Sequence, residues 1–416
     1  MEMRTFAERL IEFPTVGGGE AEAAAWTRER LDDLGFETYE WEADAETLAQ
    51  HSSFPDDPDL IDTEDRPSVG GVLEFGDPDA GPTLLLNGHI DVVPADEDAW
   101  SSDPFTPTWG ETDDGAETLT GRGAVDMKGP VAACVFAALD AADRAEDADL
   151  NGRLVVEAVA GEEEGGIGAA AAALSNPYPF ERDATIVAEP TELTPITATE
   201  GTVMKRLEIQ GRAAHAASRW RGEDVLPHFE RIRAAFEDLE AERGETVTHP
   251  LYEEYPVPWP IVIGKVQAGN WASSVPSSLT AEMRFGVAPG ETVDEVEQQY
   301  EEALQAVVDA DDWLSEHPPS FERFSIQFEP AETDPDEPIV RTLREAMLDT
   351  GLPETDPRGA TYGADSRHYV AAGIPTVVFG PGTIEQTHFP DETIEWADVE
   401  QARETIAETA VQFLQS

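Results

Sequence analysis

Apolar residues recur with helical spacing over residues 3–13 and 21–34, and the two runs stop at Pro14 and Gly35. Residues 69–75 and 82–87 have a different texture. The second is an apolar run too short for a helix, which predicts a buried strand closing on His89. A helix is predicted from about Met127 to Ala142, followed by strands over 153–160 and 185–187. Strand, loop, helix and strand in alternation argue for an α/β layer with a mostly parallel central sheet. Crevices in such sheets form beyond the carboxyl ends of the strands.

From about Ile196 the pattern changes. Residues 202–210 alternate like a strand, 225–243 form a charged amphipathic helix, and 261–267 and 278–287 read as two strands joined by a loop. A second helix over 292–309 and a final strand over 324–328 complete β-α-β-β-α-β, a ferredoxin-like α+β unit. Beyond it, 337–349 is helical, 376–379 is an apolar strand and 396–414 is a terminal helix. The expected organisation is a first domain in two parts, 1–196 and 331–416, interrupted by an inserted domain over 197–330. The Asp- and Pro-rich stretches 54–67 and 329–338 are expected to be loops or hinges.

The chain of 416 residues can bury a large core and divide into domains. Its formal charge is −61, from 87 acidic and 26 basic residues, and lysine occurs only at Lys128, Lys205 and Lys265. Such a field repels nucleic acid and anionic membranes, so neither is expected as a partner. At molar salt the Debye length shrinks to about 3 Å and the self-repulsion is screened. The acids are spread along the whole chain rather than gathered in a tail, so a protein working in concentrated salt is expected. The single Cys134 excludes an internal disulfide framework, and its apolar surroundings predict a buried thiol rather than a catalytic one. No apolar run approaches the roughly 18 residues needed to cross a bilayer, and residues 1–19 have no basic region leading into an apolar stretch. A soluble cytoplasmic protein is therefore expected.

Five short segments offer metal-ligand chemistry. His89 and Asp91, one residue apart at a strand end, can face the same side. His89 would then bind metal while Asp91 holds its other ring nitrogen. Asp126, between glycines and ahead of a helix, is either an ordinary N-cap or a carboxylate placed to bridge two cations. In the triplet Glu162-Glu163-Glu164, neighbours in extended chain face opposite ways, so one can hold metal while the next faces an attacking water; a solvated turn is the plain alternative. Glu189 precedes Pro190 at the end of a short strand, and His388 lies in a loop ahead of Pro390. Two histidines, an aspartate and two glutamates suit a pair of closely spaced divalent cations, which points to metal-assisted hydrolysis.

In this order, the segments 86–94, 121–129, 162–168, 189–191 and 388–392 resemble the zinc aminoacylase and carboxypeptidase family. That family includes acetylornithine deacetylase, succinyl-diaminopimelate desuccinylase, aminoacylase and glutamate carboxypeptidase, and the likeness covers essentially the whole chain. The resemblance implies a zinc-peptidase-like catalytic domain, an inserted dimerisation or lid domain, a homodimer and two divalent cations (Zn2+ first, Co2+ or Mn2+ as alternatives). It also implies that Asp126 bridges the cations, that His89 and Glu189 hold one, and that Glu163 and His388 hold the other. Asp91 would support His89, and Glu162 would be the general base. This register keeps the family's spacing to Gly165-Gly166-Ile167-Gly168. Gly161 stands where the family has aspartate, so Glu163 as base and Glu164 as ligand stays open.

In the segment 211–217, His215 resembles a family histidine that reaches the partner subunit's site and stabilises the oxyanion; a surface histidine beside Arg212 is the alternative. Ser273-Ser274-Val275-Pro276 departs from the family's loop, which often carries an asparagine just before its Val-Val-Pro. Arg284 is placed like an arginine that binds the substrate carboxylate, or else it pairs with a surface acid. The implied activity is hydrolysis of an N-acyl (acetyl or succinyl) amino acid or related small amide. A dipeptidase or carboxypeptidase of the same family, or a non-catalytic binding homologue, are the alternatives.

Overall fold

The computed structural model describes residues 1–148 and 150–415. Among them, nine strands form a mixed sheet. Its order is Glu37–Trp41, Ser68–Phe75, Gly152–Val159, Thr83–His89, Ala184–Val187, Thr376–Val378, Ile196–Thr199 and Ala331–Glu332, with Arg358–Ala360 also paired to Ile196–Thr199. The four strands from Gly152–Val159 to Thr376–Val378 run parallel at its centre. Antiparallel pairs flank them on both sides.

Thr83–His89 is buried along its whole length, and its alternation decides which core each residue joins. Leu84 and Leu86 enter the large core beneath helices Met3–Ile11, Lys128–Ala148, Pro338–Asp349 and Trp396–Leu414. Leu85 points the other way, into a smaller core with Val155, Ala169, Val187 and Tyr369. Helices on both faces of a parallel centre leave one edge for chemistry, the carboxyl ends of the strands. His89 ends its strand opposite Val159, and Asn87 lies opposite Val187. The chain therefore leaves all three neighbouring strands at the same edge, and residues 89–91, 161–164 and 188–189 emerge together.

The expected β-α-β-β-α-β unit forms a separate antiparallel sheet, in the order Ile261–Ala268, Ser278–Val287, Gly201–Gln210 and Ser320–Arg323. Helices Val225–Thr246 and Val293–Asp309 cover it, and Phe236, Phe285, Tyr300 and Leu304 share its core. Thr292 and Glu295 close a reciprocal capping box on the second helix. The last strand lies earlier than the expected 324–328. Phe321 packs against Phe236 and Phe285, while Phe328 makes only an isolated bridge to Thr202.

Several elements carry no clear sequence signal. Glu37–Trp41 is an edge strand, and Thr108–Glu111 and Glu117–Thr120 form a hairpin joined by Thr393–Glu395. Ile167–Leu174 is a short helix. The stretch 329–338, expected as a loop, contains the strand Ala331–Glu332 and the start of the helix Pro338–Asp349.

Candidate active site

The acidic triplet does not run extended. Glu162–Gly165 form a tight turn, with Gly165 N and Gly166 N both donating to Glu162 O, at 2.9 and 3.0 Å. Gly161 opens the turn at φ +74°, where a Cβ would meet Ile167 at 2.9 Å, so glycine is required both by conformation and by space. The turn sends its three carboxylates in different directions. Glu162 is buried and Glu163 half-buried. Glu164 is 47% exposed and pairs with the buried Arg66, away from the histidines.

Asp91 lies against this turn. Its Oδ1 accepts from Glu162 N and its Oδ2 from Glu163 N, both at 3.1 Å. Nδ1 of His89 lies 2.9 Å from the main-chain oxygen of Asp91 and 3.5 Å from its carboxylate. The side chain expected to hold the imidazole thus holds the glutamate turn more closely, and the backbone of the same residue orients the ring. With Nδ1 donating to that carbonyl, Nε2 is left with its lone pair free for a ligand. It faces Asp126 Oδ1 at 2.8 Å.

Asp126 is fixed by a residue to which no role was assigned from the sequence. Glu392, fully buried, accepts from Gly123 N (3.1 Å), Val125 N (2.7 Å), Asp126 N (3.0 Å) and Arg122 Nη1 (2.6 Å). The far oxygen of Asp126 lies 3.4 Å from His388 Nε2, and Glu163 Oε1 lies 3.0 Å from the same nitrogen. His388 itself has φ +61°, a conformation that non-glycine residues adopt rarely and mostly where surrounding structure demands it.

Ligand atoms of His89, Asp126 and Glu163 lie within 4.8 Å of one another, and so do those of His89, Glu162 and Glu189. Burial, and then Glu189, push the Glu162 carboxyl well above its usual range. Burial and Asp126 do the same to Glu189. Acids packed so closely out of water are stable only if neutralised by protons or by cations. The facing Nε2 and Oδ1 of His89 and Asp126 likewise need a proton or a cation between them. Imidazole with carboxylates is a donor set for zinc-like and manganese-like ions. The residues fit a pair of divalent cations.

A cavity of about 210 Å³ opens over Asp126, Glu162, Glu163 and Glu189, and Arg284 lines its far wall. Arg284 comes from the strand Ser278–Val287 of the inserted sheet and donates to Glu200 Oε1 (3.1 Å) and Thr361 O (3.3 Å). Glu200 is fully buried and also escaped notice in the sequence. His215 is not brought into this cavity. It lies exposed at the start of the short helix Ala216–Arg221, where its Nδ1 accepts from Ala217 N at 3.1 Å. Behind the glutamate turn, His368 Nε2 donates to Gly165 O at 3.1 Å. Cys134 is buried in the helix Lys128–Ala148, in the large hydrophobic core.

A model of peptidase family M20/M25/M40 matches residues 85–412. A probable carboxypeptidase of Aspergillus terreus is 30% identical over 406 residues, covering 96% of this chain and 83% of its own. An acetylornithine deacetylase of Pectobacterium carotovorum is 29% identical over 337 residues, covering 79% of this chain and 80% of its own. In fold, the chain is similar to a metallo-carboxypeptidase of Sulfolobus solfataricus, with a TM-score of 0.72 at 16% identity over 100% of this chain and 99% of that one.

Proposed function

The chain belongs to this peptidase family and is a hydrolase of amide bonds, and from that premise we propose that it is a two-metal amidohydrolase cleaving an N-acyl amino acid or a related small amide. The observation that carries the reading is the convergence of His89, Asp126, Glu163 and Glu189 at one sheet edge, with Glu162 among them and Arg284 across the same cavity. Asp126 would bridge the two cations, His89 and Glu189 would hold one, and Glu163 and His388 the other. When bound, the cations, Zn2+ first with Co2+ or Mn2+ as alternatives, would polarise the amide carbonyl and bring an attacking water towards a pKa of about 7.

Glu162 is the general base in this reading. It takes the water's proton as attack begins and returns it to the leaving amine, a task suited to a carboxyl whose burial raises its basicity. Asp91 keeps Glu162 and Glu163 in register through their backbone N–H groups. Glu164, turned towards Arg66, takes no part, which favours the Glu162/Glu163 register over its alternative. Arg284 would hold the substrate carboxylate.

A homodimer belongs to the same proposal. The edge strand Ile261–Ala268 exposes Val262 and Val266, and Trp220 of the short helix Ala216–Arg221 and Trp271 of a loop are also exposed. An exposed apolar edge of this kind is a surface for a second copy. His215 would then act in the second copy's site, donating a hydrogen bond to the developing oxyanion. Function in concentrated salt is also part of the reading, on the charge of −61. Among the described residues, no helix is long and apolar enough to cross a membrane.

A carboxypeptidase or dipeptidase is the second reading, favoured by the name of the Aspergillus relative and served by the same residues. The deciding experiment measures hydrolysis of N-acyl amino acids and dipeptides in molar KCl, with and without chelator. Glu162→Gln is expected to retain both metals while turnover nearly disappears. An active Glu162→Gln alongside a dead, fully metallated Glu163→Gln would move the base by one residue. Two bound metals with no hydrolysis of any substrate would leave a binding protein.

A further inference from the structure

The catalytic cavity has a neighbour. A second cavity, of about 240 Å³, is lined by Phe54, Leu60, Ile61, Ile167 and Ile326, and Glu163 forms a wall of both. Its floor is apolar and buried, since Phe54, Ile61 and Ile167 pack together in one small cluster with Leu48 and Ala170. Gly165 lets two walls close in, because a Cβ there would meet Ile326 Cγ2 and Phe54 Cε1, both at 3.1 Å. At the rim, Leu60 is 71% exposed. A leucine left in water beside an apolar floor covers nothing in the chain itself.

The two cavities differ in chemistry. Arg284 lines the first and not the second, whose polar lining is Asp62, Glu163, Glu164 and Ser325, with no basic side chain. Because Glu163 lines both cavities, a substrate with its carboxylate against Arg284 and its scissile carbonyl beside Glu162 and Glu163 would have the second cavity next to it across Glu163.

We infer that the cavity of Phe54, Leu60, Ile61, Ile167 and Ile326 is the acyl subsite, and that it takes an uncharged apolar acyl group larger than acetyl. This rests on the amidohydrolase reading and narrows it. An acyl group bearing its own carboxylate, such as succinyl, is disfavoured because it would bury that charge on an apolar floor whose lining offers it no basic side chain. An apolar chain gains by leaving water for the floor.

The test is an acyl series on one amino acid, measured with the metal-loaded protein in molar KCl as kcat/KM for acetyl, butanoyl, hexanoyl and succinyl derivatives. From acetyl to hexanoyl, kcat/KM is expected to rise by at least about tenfold, in the range that small apolar increments reach in hydrophobic pockets. Succinyl should fall below butanoyl. Ile326→Trp, which fills the cavity, should reduce the hexanoyl-to-acetyl ratio by about tenfold. Leu60→Ser, at an exposed position where folding is not at stake, should reduce the same ratio. A flat or falling series with every member cleaved overturns the subsite and leaves the amidohydrolase standing. Rates that vary with the amino acid but not with the acyl group overturn it as well. No cleavage of any N-acyl amino acid overturns the deacylase reading, and the subsite with it.

Discussion

Glu392→Gln is the sharpest test of how Asp126 is held. The substitution keeps the shape of the side chain and removes its charge. The wild-type carboxylate receives three backbone N–H groups and Arg122, all between 2.6 and 3.1 Å. In the variant, one oxygen becomes an NH2 group that must face donors, and Arg122, itself buried, loses its counter-charge. A hydrogen bond to a charged group contributes about 1.5–3 kcal/mol, and breaking a buried ion pair costs about 3–5 kcal/mol. These describe overlapping interactions and do not add, so a loss of about 3–5 kcal/mol is expected. Urea unfolding of the chelated protein in molar KCl measures it without linkage to metal. Salt distinguishes the pair from surface ones, because an exposed ion pair contributes about 0–1 kcal/mol and is screened. Metal affinity should fall by about 10–100-fold, as when the support of a ligand is removed. A loss under about 1 kcal/mol, or one that vanishes at high salt, would show that Glu392 does not hold the Asp126 loop.

Burial drives the Glu200 carboxyl up to about 7, against the pull of Arg284. Its folded pKa lies above the ordinary 4.5, so the folded state binds more protons between these values, and stability falls as pH rises from about 4.5 through 7. Glu200→Gln should flatten that slope in urea unfolding across the same window; an unchanged slope refutes the assignment. Cys134, whose thiol burial pushes up to about 12, should resist a thiol reagent until the chain unfolds, so rapid labelling of native protein would count against it. Stability should climb with KCl up to molar concentration as the field of −61 charges is screened. A flat salt dependence would remove the case for a salt-adapted protein.

The parallel centre was legible because Leu84–Leu86 is wholly apolar, a pattern that a buried strand tolerates and a surface element does not. Ile167–Leu174 was not, because five consecutive alanines mark no face and its burial comes from neighbours. The last inserted strand was misplaced because both 320–323 and 324–328 carry aromatic residues, and only packing against Phe236 and Phe285 decides between them. The site shows the same division. His89 and His388 stand out in a chain with 8 histidines, whereas any one acid among 87 carries little information. What sets Glu162, Glu189, Glu200 and Glu392 apart from the many exposed acids is burial, which no local pattern encodes. A chain this negative places most of its acids in water, where screening makes them tolerable. Each acid it buries instead needs a specific partner. Arg122 answers Glu392, Arg284 answers Glu200, and Arg66 answers the buried Glu20. Glu162 and Glu189 have no basic side chain of this kind, and beside His89 and Asp126 that is where divalent cations fit.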